Sequence, residues 1–321
     1  VTAPAPVRGG GDGWLAWRGR GIGGSDIPGI LGISPWASPL SVWRAKVTGG
    51  GSAGTGGTYE ALRWGKLLED AILAESGRRL GVVAHDYQLC LTHDDHDWAR
   101  CTLDALYSEA GPPAPPQGVI EVKTTGEHRW DTLPGHVEAQ VQWQLEVADL
   151  PDGWVACLHA GQRLSLWHVE RDRDVGWGLL DVAGRFWTRY VQAGVPPPLD
   201  GHPATTAALA ARYHAEPGQV ADLAKQANDI AWLRSLHARQ AALETEIEQL
   251  SNRVRAALGT ATEGKIDGRT VVTWRAHSRR AIDVERLREE QPAIAEQYTT
   301  TSEVRPLRLV PPRRKERTTD G

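Results

Sequence analysis

Three β-rich runs crowd the middle of this chain: VVAHDYQLCL from Val82, ARCTLDALY from Ala99 and VIEVK from Val119. The turn HDDHD and the proline loop EAGPPAPPQG separate them. Short runs rich in β-branched and aromatic residues, bounded by turn residues, read as neighbouring antiparallel strands. They commit the centre of the molecule to a sheet. WVACLHA from Trp154 and LSLWHVERD from Leu164 alternate like two further strands.

Helical periodicity surrounds these strands. Val137, Val141 and Leu145 stand four apart within His136–Ala148, and Leu62, Leu68, Ala71 and Ile72 share a face of a helix over Tyr59–Ser76. Two short helices are expected between Ser25 and Val47, broken by Gly32, Pro35 and Pro39, and another over Val175–Gln192, ended by Gly194 and three prolines. The expected fold class is α/β (α+β), a central mixed sheet flanked by helices over residues 14–202. Residues 1–13 read as a disordered leader, and GGGSAGTGG from Gly49 as a flexible loop.

Residues 203–321 are richer in Ala, Arg and Glu. Leu243, Ile247, Leu250, Val254 and Leu258 follow spacings of 4, 3, 4 and 4, which predicts a long helix or helical hairpin of coiled-coil type. A small β element follows at IDGRTVVTWR, with a D-G turn signal, then helix on both sides of Pro292 and a basic tail, PPRRKER.

Composition excludes several classes. No apolar run reaches the length of a membrane span, and the first twenty residues lack the pattern of a signal peptide, so a cytoplasmic protein without a membrane partner is expected. Cys90, Cys101 and Cys157 are too far apart in sequence for a disulfide framework or a thiolate metal site. The formal charge of −4 divides into −7 over residues 1–200 and +3 over 201–321. Bulk charge therefore gives no argument for nucleic acid, although a local basic path remains compatible with it.

The chemistry lies in the β runs. Asp104 is in one, Glu121 and Lys123 in the next, and the two-residue spacing of E-V-K puts Glu121 and Lys123 on one face of a strand. If the strands pair as a hairpin, Asp104 arrives beside Glu121. Two carboxylates about 4 Å apart repel by roughly 4 kcal/mol at an effective dielectric near 20, which a divalent cation removes. Carboxylate oxygens suit Mg²⁺ or Mn²⁺, and a nearby lysine can orient or deprotonate a water for attack on a phosphodiester. Taken alone, the same pattern also describes a strand with charges facing water.

Other segments match in order. W-x-x-W-R-x-x-G-I-G-G-S-D-I-x-x-I-L-G-I-S-P-W (Trp14–Trp36), R-W-G-x-x-L-E (Arg63–Glu69), L-D-A-L (Leu103–Leu106), I-E-V-K-T-T (Ile120–Thr125) and A-Q-V-Q-W-Q-L (Ala139–Leu145) resemble the lambda-exonuclease-like, YqaJ viral recombinase family of the PD-(D/E)XK nuclease superfamily. Leu103 replaces the proline of the superfamily name. The resemblance implies a restriction-endonuclease-like fold. It also implies a Mg²⁺-dependent DNA exonuclease, with Mn²⁺ able to substitute, acting 5′-to-3′ on linear duplex and leaving 3′ single strands for recombination. Double-stranded DNA ends, a single-strand annealing protein and a second copy of the chain in a ring-shaped homo-oligomer are the implied partners.

Residue by residue, the resemblance implies Asp104 and Glu121 as metal ligands, Lys123 as the water-positioning base, and Gln140 as a polar partner of that lysine or of the water. Glu69 would support a second metal, and Arg18 and Ser25 would stand near the 5′ phosphate of a DNA end. Simpler roles exist for each of the last four. Ser25 can be a helix N-cap, Gln140 an exposed helix residue, Glu69 a surface partner of Arg63 or Lys66, and Arg18 can stack on Trp14. An endonuclease of the same fold, or a nuclease-derived DNA- or protein-binding module, are the alternative functions. Gly19 to Gly24 satisfy G-x-G-x-x-G, but no β run precedes them, which excludes a dinucleotide fingerprint.

Overall fold

The computed structural model describes residues 11–49, 59–301 and 305–311; most of the expected leader, nearly all of the glycine-rich loop and the end of the basic tail lie outside the described residues. The chain divides into two compact units, between His214 and Ala215.

The first unit opens with α1 (Gly11–Gly19), a 3-10 turn at Gly24–Asp26, α2 (Ile27–Ile30), α3 (Pro39–Val47) and α4 (Tyr59–Leu80). There follow β1 (Val83–His85), β2 (Leu89–Thr92), β3 (Arg100–Leu103), β4 (Ala105–Ser108) and β5 (Gly118–Thr125). Then come α5 (Gly135–Ala148), β6 (Asp152–His159), β7 (Arg163–Glu170), α6 (Arg173–Phe186) and α7 (Pro203–Arg212). Local chemistry sets the helix starts. Ser38 and Ser41 cap α3 reciprocally, each hydroxyl accepting the other's backbone N–H at 3.2 and 2.8 Å, with Pro39 at the first helical position. Asp172 caps α6 by accepting from Asp174 and Val175 N–H.

Five strands form one mixed sheet in the order β1-β4-β5-β6-β7, with β5 and β6 parallel and the other pairs antiparallel. The parallel pair requires a crossover, which α5 supplies. Helices cover both faces. On one, Ile72 and Leu73 of α4 pack with Ala105, Tyr107, Ile120 and Ala156. On the other, Val137, Val141 and Leu145 of α5 pack with Leu106, Val119 and Val155. The alternation along β5 thus sends Val119, Glu121 and Lys123 toward α5, and Ile120 and Val122 toward α4.

Two of the expected strands are broken. Asp86 and Gln88 adopt positive φ (50° and 56°) and split the first run into β1 and β2. The second run is split at Asp104, because β3 pairs with β2 in a separate two-stranded sheet whereas β4 joins β1 and β5. The chain changes sheets at Asp104. The expected Val175–Gln192 helix starts at Arg173 and ends in a π-helical turn over Trp187–Gln192. The first unit also reaches past residue 202: α7 packs on α3, where the buried hydroxyls of Thr205 and Ser38 lie 2.7 Å apart.

The second unit contains α8 (Ala227–Leu258), the hairpin β8 (Glu263–Ile266) and β9 (Arg269–Thr273), α9 (Val284–Glu290) and α10 (Pro292–Gln297). Asp267 and Gly268 make the hairpin turn with φ of 50° and 76°, the left-handed pair that a two-residue hairpin turn requires. No described residue of this unit is buried, and no described helix of the protein is long and apolar enough to cross a membrane.

Candidate active site

The register of the sheet brings the acidic residues together. Ala105 pairs with Ile120, so Asp104, one residue earlier, falls beside Glu121. Asp104 Oδ2 accepts the Val122 backbone N–H at 2.8 Å. Loss of hydration, with the Glu121 charge adding to it, pushes the Asp104 carboxyl up to about 8. The site is short of positive charge around its two carboxylates.

Glu121 is 3% exposed, and its oxygens are fully engaged. Lys123 and Gln140 donate to Oε1, the amide at 2.6 Å, and Gln144 donates to Oε2 at 2.7 Å. Lys123 Nζ also donates to Gln140 Oε1 at 3.0 Å. Gln140 therefore orients the ammonium with its oxygen and the carboxylate with its nitrogen. Gln140 and Gln144 can both reach Glu121 because residues four apart share a helix face. Gln142, between them, points away and donates to the Glu170 carbonyl at 2.8 Å.

Lys123 is a cation in this arrangement. Burial opposes its charge, but the Glu121 and Asp104 carboxylates outweigh that and raise its pKa above the usual lysine value. As the chain stands, the side chain expected as a base is protonated, so it positions rather than accepts a proton.

Glu69 joins through an intermediary. Gln88 Nε2 donates to Glu69 Oε1 at 2.6 Å and to Asp104 Oδ1 at 3.3 Å, while Lys66 donates to Glu69 at 3.2 Å. The surface partnership of Glu69 with Lys66 and its link to the cluster coexist. Gln88 was not singled out from the sequence. Its left-handed backbone, unusual for a non-glycine residue, aims the amide between two carboxylates.

Arg18 and Ser25 stand in the same cleft. A cavity of about 160 Å³ is lined by both of them and by Gln88, Asp104, Glu121 and Gln140. Arg18 donates to the Ser25 hydroxyl at 2.6 Å and lies over the Trp14 ring, 5.3 Å from its centroid, so stacking does not exclude the polar contact. Ser25 is not the helix cap. The turn begins at Gly24 with Gly23 at the cap position, and Asp26 accepts the Gly23 N–H at 2.8 Å. Asp26 also binds Lys46 in a buried ion pair at 2.6 Å, which anchors the turn. Gly21 serves a tight contact rather than a nucleotide loop: a Cβ there would fall 2.3 Å from the Trp98 carbonyl oxygen.

As to a metal, the donors are carboxylate oxygens, a set that suits a hard divalent cation. The Gln88 amide between Glu69 and Asp104 and the raised Asp104 carboxyl both mark a place where positive charge is wanted. Among the described residues no three acidic, histidine or cysteine side chains stand close enough to form a ready-made cage, so the fit rests on the Asp104–Glu121 pair.

Comparison with known proteins follows the same residues. The model of the YqaJ-like viral recombinase domain matches residues 13–151. An uncharacterized protein YqaJ of Bacillus subtilis (strain 168) is 26% identical over 294 residues, 89% of each chain. Among solved structures, an alkaline exonuclease from Laribacter hongkongensis is 15% identical with a TM-score of 0.45, over 57% of this chain and 93% of that one. A phage related exonuclease from Haemophilus somnus 129PT is 11% identical with a TM-score of 0.42, over 54% of this chain and 94% of that one. The stretch that resembles the YqaJ-like viral recombinase domain, residues 13–151, holds every side chain of the cluster.

Proposed function

We propose that this protein is a Mg²⁺-dependent DNA exonuclease that degrades the 5′-ended strand of linear duplex DNA and leaves 3′ single strands for recombination. The observation that carries the reading is the cleft itself. A carboxylate pair tied to a lysine and two amides shares one cavity with an arginine–serine pair suited to a terminal phosphate. The family's own description, a viral recombinase, supports recombination as the setting.

Asp104 and Glu121 would hold the metal, with Glu69 at its edge and Mn²⁺ able to substitute; bound there, the cation neutralises their charge and acts as a Lewis acid on the phosphodiester. The other tasks fall to the chain. Gln140 and Gln144 keep Glu121 in one orientation. Lys123, fixed by Gln140, directs a water toward phosphorus, and neutralising its carboxylate neighbours weakens the influences that raise its pKa against burial, which favours its acting on a proton. Arg18 offers a planar donor fork and Ser25 a hydroxyl to the 5′ phosphate, so a strand end rather than an internal bond is selected. A single-strand annealing protein is the partner this product calls for.

The test is incubation of the full chain with 5′-phosphorylated linear duplex and with covalently closed circular DNA, in Mg²⁺ or EDTA, alongside Lys123→Ala. Mononucleotides released from the linear duplex alone, and abolished by EDTA and by the substitution, are expected. Nicking of the circle would make the protein an endonuclease. No cleavage of either DNA under any divalent metal would leave only a binding module.

A further inference from the structure

α8 is 32 residues long, yet none of its side chains is buried. Leu236, Leu243 and Leu250 recur every seven residues, and Ile247 and Val254 fall four residues after Leu243 and Leu250, so the apolar seam has the 3.5-residue period of a left-handed supercoil. All five are open to solvent, Ile247 at 62%. A helix with an apolar seam in water, in a unit none of whose described residues is buried, is an interface waiting for its other half.

We propose that the other half is α8 of a second copy, and that the two helices run parallel as a two-stranded coiled coil from Leu233 to Ala257, about 37 Å long. Three features of the sequence select this occupant. First, the leucines lie at the d positions and the β-branched Ile247 and Val254 at a, the combination that favours two parallel strands.

Second, the flanking charges fit only one orientation. In a parallel pair each g residue faces the e residue five places further along the other helix, which sets Arg239 against Glu244 of the second copy, twice by symmetry, with no like charges opposed. An antiparallel pair with the same seam fully overlapped would set Arg239 against Arg253, and Glu244 and Glu246 each against its own counterpart. Such like-charge contacts disfavour it.

Third, Gln240 occupies an a position inside the seam. Within its own helix its amide donates to Glu244 Oε1 at 3.0 Å. In the parallel register the two Gln240 amides meet in one layer and can bond to each other, whereas antiparallel packing would place each against Leu250 of the other chain. A polar a residue of this kind fixes register and strand number. The inference rests on α8 alone and does not depend on the nuclease reading.

The experiment uses the full chain without DNA. Light scattering should give a mass about twice that of the variant Leu243→Glu/Leu250→Glu, whose substitutions lie on exposed positions and leave the near-ultraviolet circular dichroism unchanged. A second variant, Leu243→Cys, reports orientation, because the three native cysteines are buried. Mild oxidation should join Leu243→Cys chains into a covalent dimer, since equivalent d residues meet only in the parallel arrangement. Equal masses for the wild type and the double variant would overturn the proposal. Failure of Leu243→Cys to self-couple would overturn it too.

Discussion

Asp104 is held from across the sheet by Val122, whose backbone N–H donates to Oδ2 at 2.8 Å. A carboxylate pinned by the neighbouring strand cannot swing away from Glu121, so the repulsion between the two is built into the folded state. Since the Asp104 carboxyl is pushed from 3.8 up to about 8, the folded chain binds a proton there that the unfolded chain has already lost. Its stability is therefore greatest below pH 4 as far as this group is concerned, and falls as pH rises to about 8. Asp104→Asn lacks that fall. In EDTA the variant should melt higher than the wild type, by a margin that grows between pH 5 and pH 8, while DNA hydrolysis is lost. A margin that stays flat across that range would remove the coupling.

Lys123→Ala separates turnover from metal binding. On the proposed function the ammonium directs water, so hydrolysis should drop by about 10² to 10⁴-fold, the usual range for a lost acid–base group. Because Lys123 and Gln140 both donate to Glu121 Oε1, removal of the lysine takes away one of the two donors that compete with a cation for that oxygen. Calorimetric titration with Mn²⁺ should show affinity equal to or tighter than wild type. Weaker binding would mean that the lysine organises the metal site instead.

Arg18→Ala addresses strand-end selection. With Arg18 and Ser25 facing the cavity, wild type should prefer 5′-phosphorylated over 5′-hydroxyl ends, and the variant should degrade the two at similar rates. Initial rates on paired duplexes that differ only in the terminal phosphate measure this. A preference that survives the substitution would assign the phosphate to other groups.

Arg171→Ala tests a pair remote from the chemistry. Arg171 donates to the buried Glu146 carboxylate at 2.8 and 3.0 Å and also binds Asp149. Removing the guanidinium strands a carboxylate inside the protein, a loss of about 3–5 kcal/mol. Urea denaturation should show the shift, with hydrolysis per folded molecule unchanged at low temperature.

Much of the site was legible because it depends on short-range periodicity. Glu121 and Lys123 share a face by the two-residue repeat of a strand, and Gln140 could be placed through the family motif. Gln144 obeyed the four-residue helix spacing to Gln140, but three glutamines at alternate positions gave no means of choosing among them. Gln88 was hidden for a different reason. Its reach to Glu69 and Asp104 accompanies left-handed backbone at two non-glycine residues, Asp86 and Gln88, where the chain passes from β1 of the five-stranded sheet to β2 of the two-stranded one. In sequence α7 looks like the start of the alanine-rich region, and contacts with residues far away in the chain, Thr205 with Ser38, His202 with Ser34 and Arg212 over the Trp43 ring, place it with the sheet-containing unit.

The layout of β4 and β5 also dictates an order of assembly. β4, which Asp104 immediately precedes, and β5, which carries Glu121, are joined by residues 109–117, whereas the bond from Trp14 to Thr102 spans 88 residues and that from Trp43 to Tyr190 spans 147. Closing a short loop loses less chain entropy, so the two carboxylates meet early on the folding path and the arginine-bearing arm docks late. Substitutions in the β4–β5 hairpin should slow refolding in stopped-flow traces, and Trp14→Phe should mainly hasten unfolding. A growing chain leaving the ribosome would thus hold its two carboxylates face to face before Gln140 and Gln144, which are made later, arrive to bind Glu121.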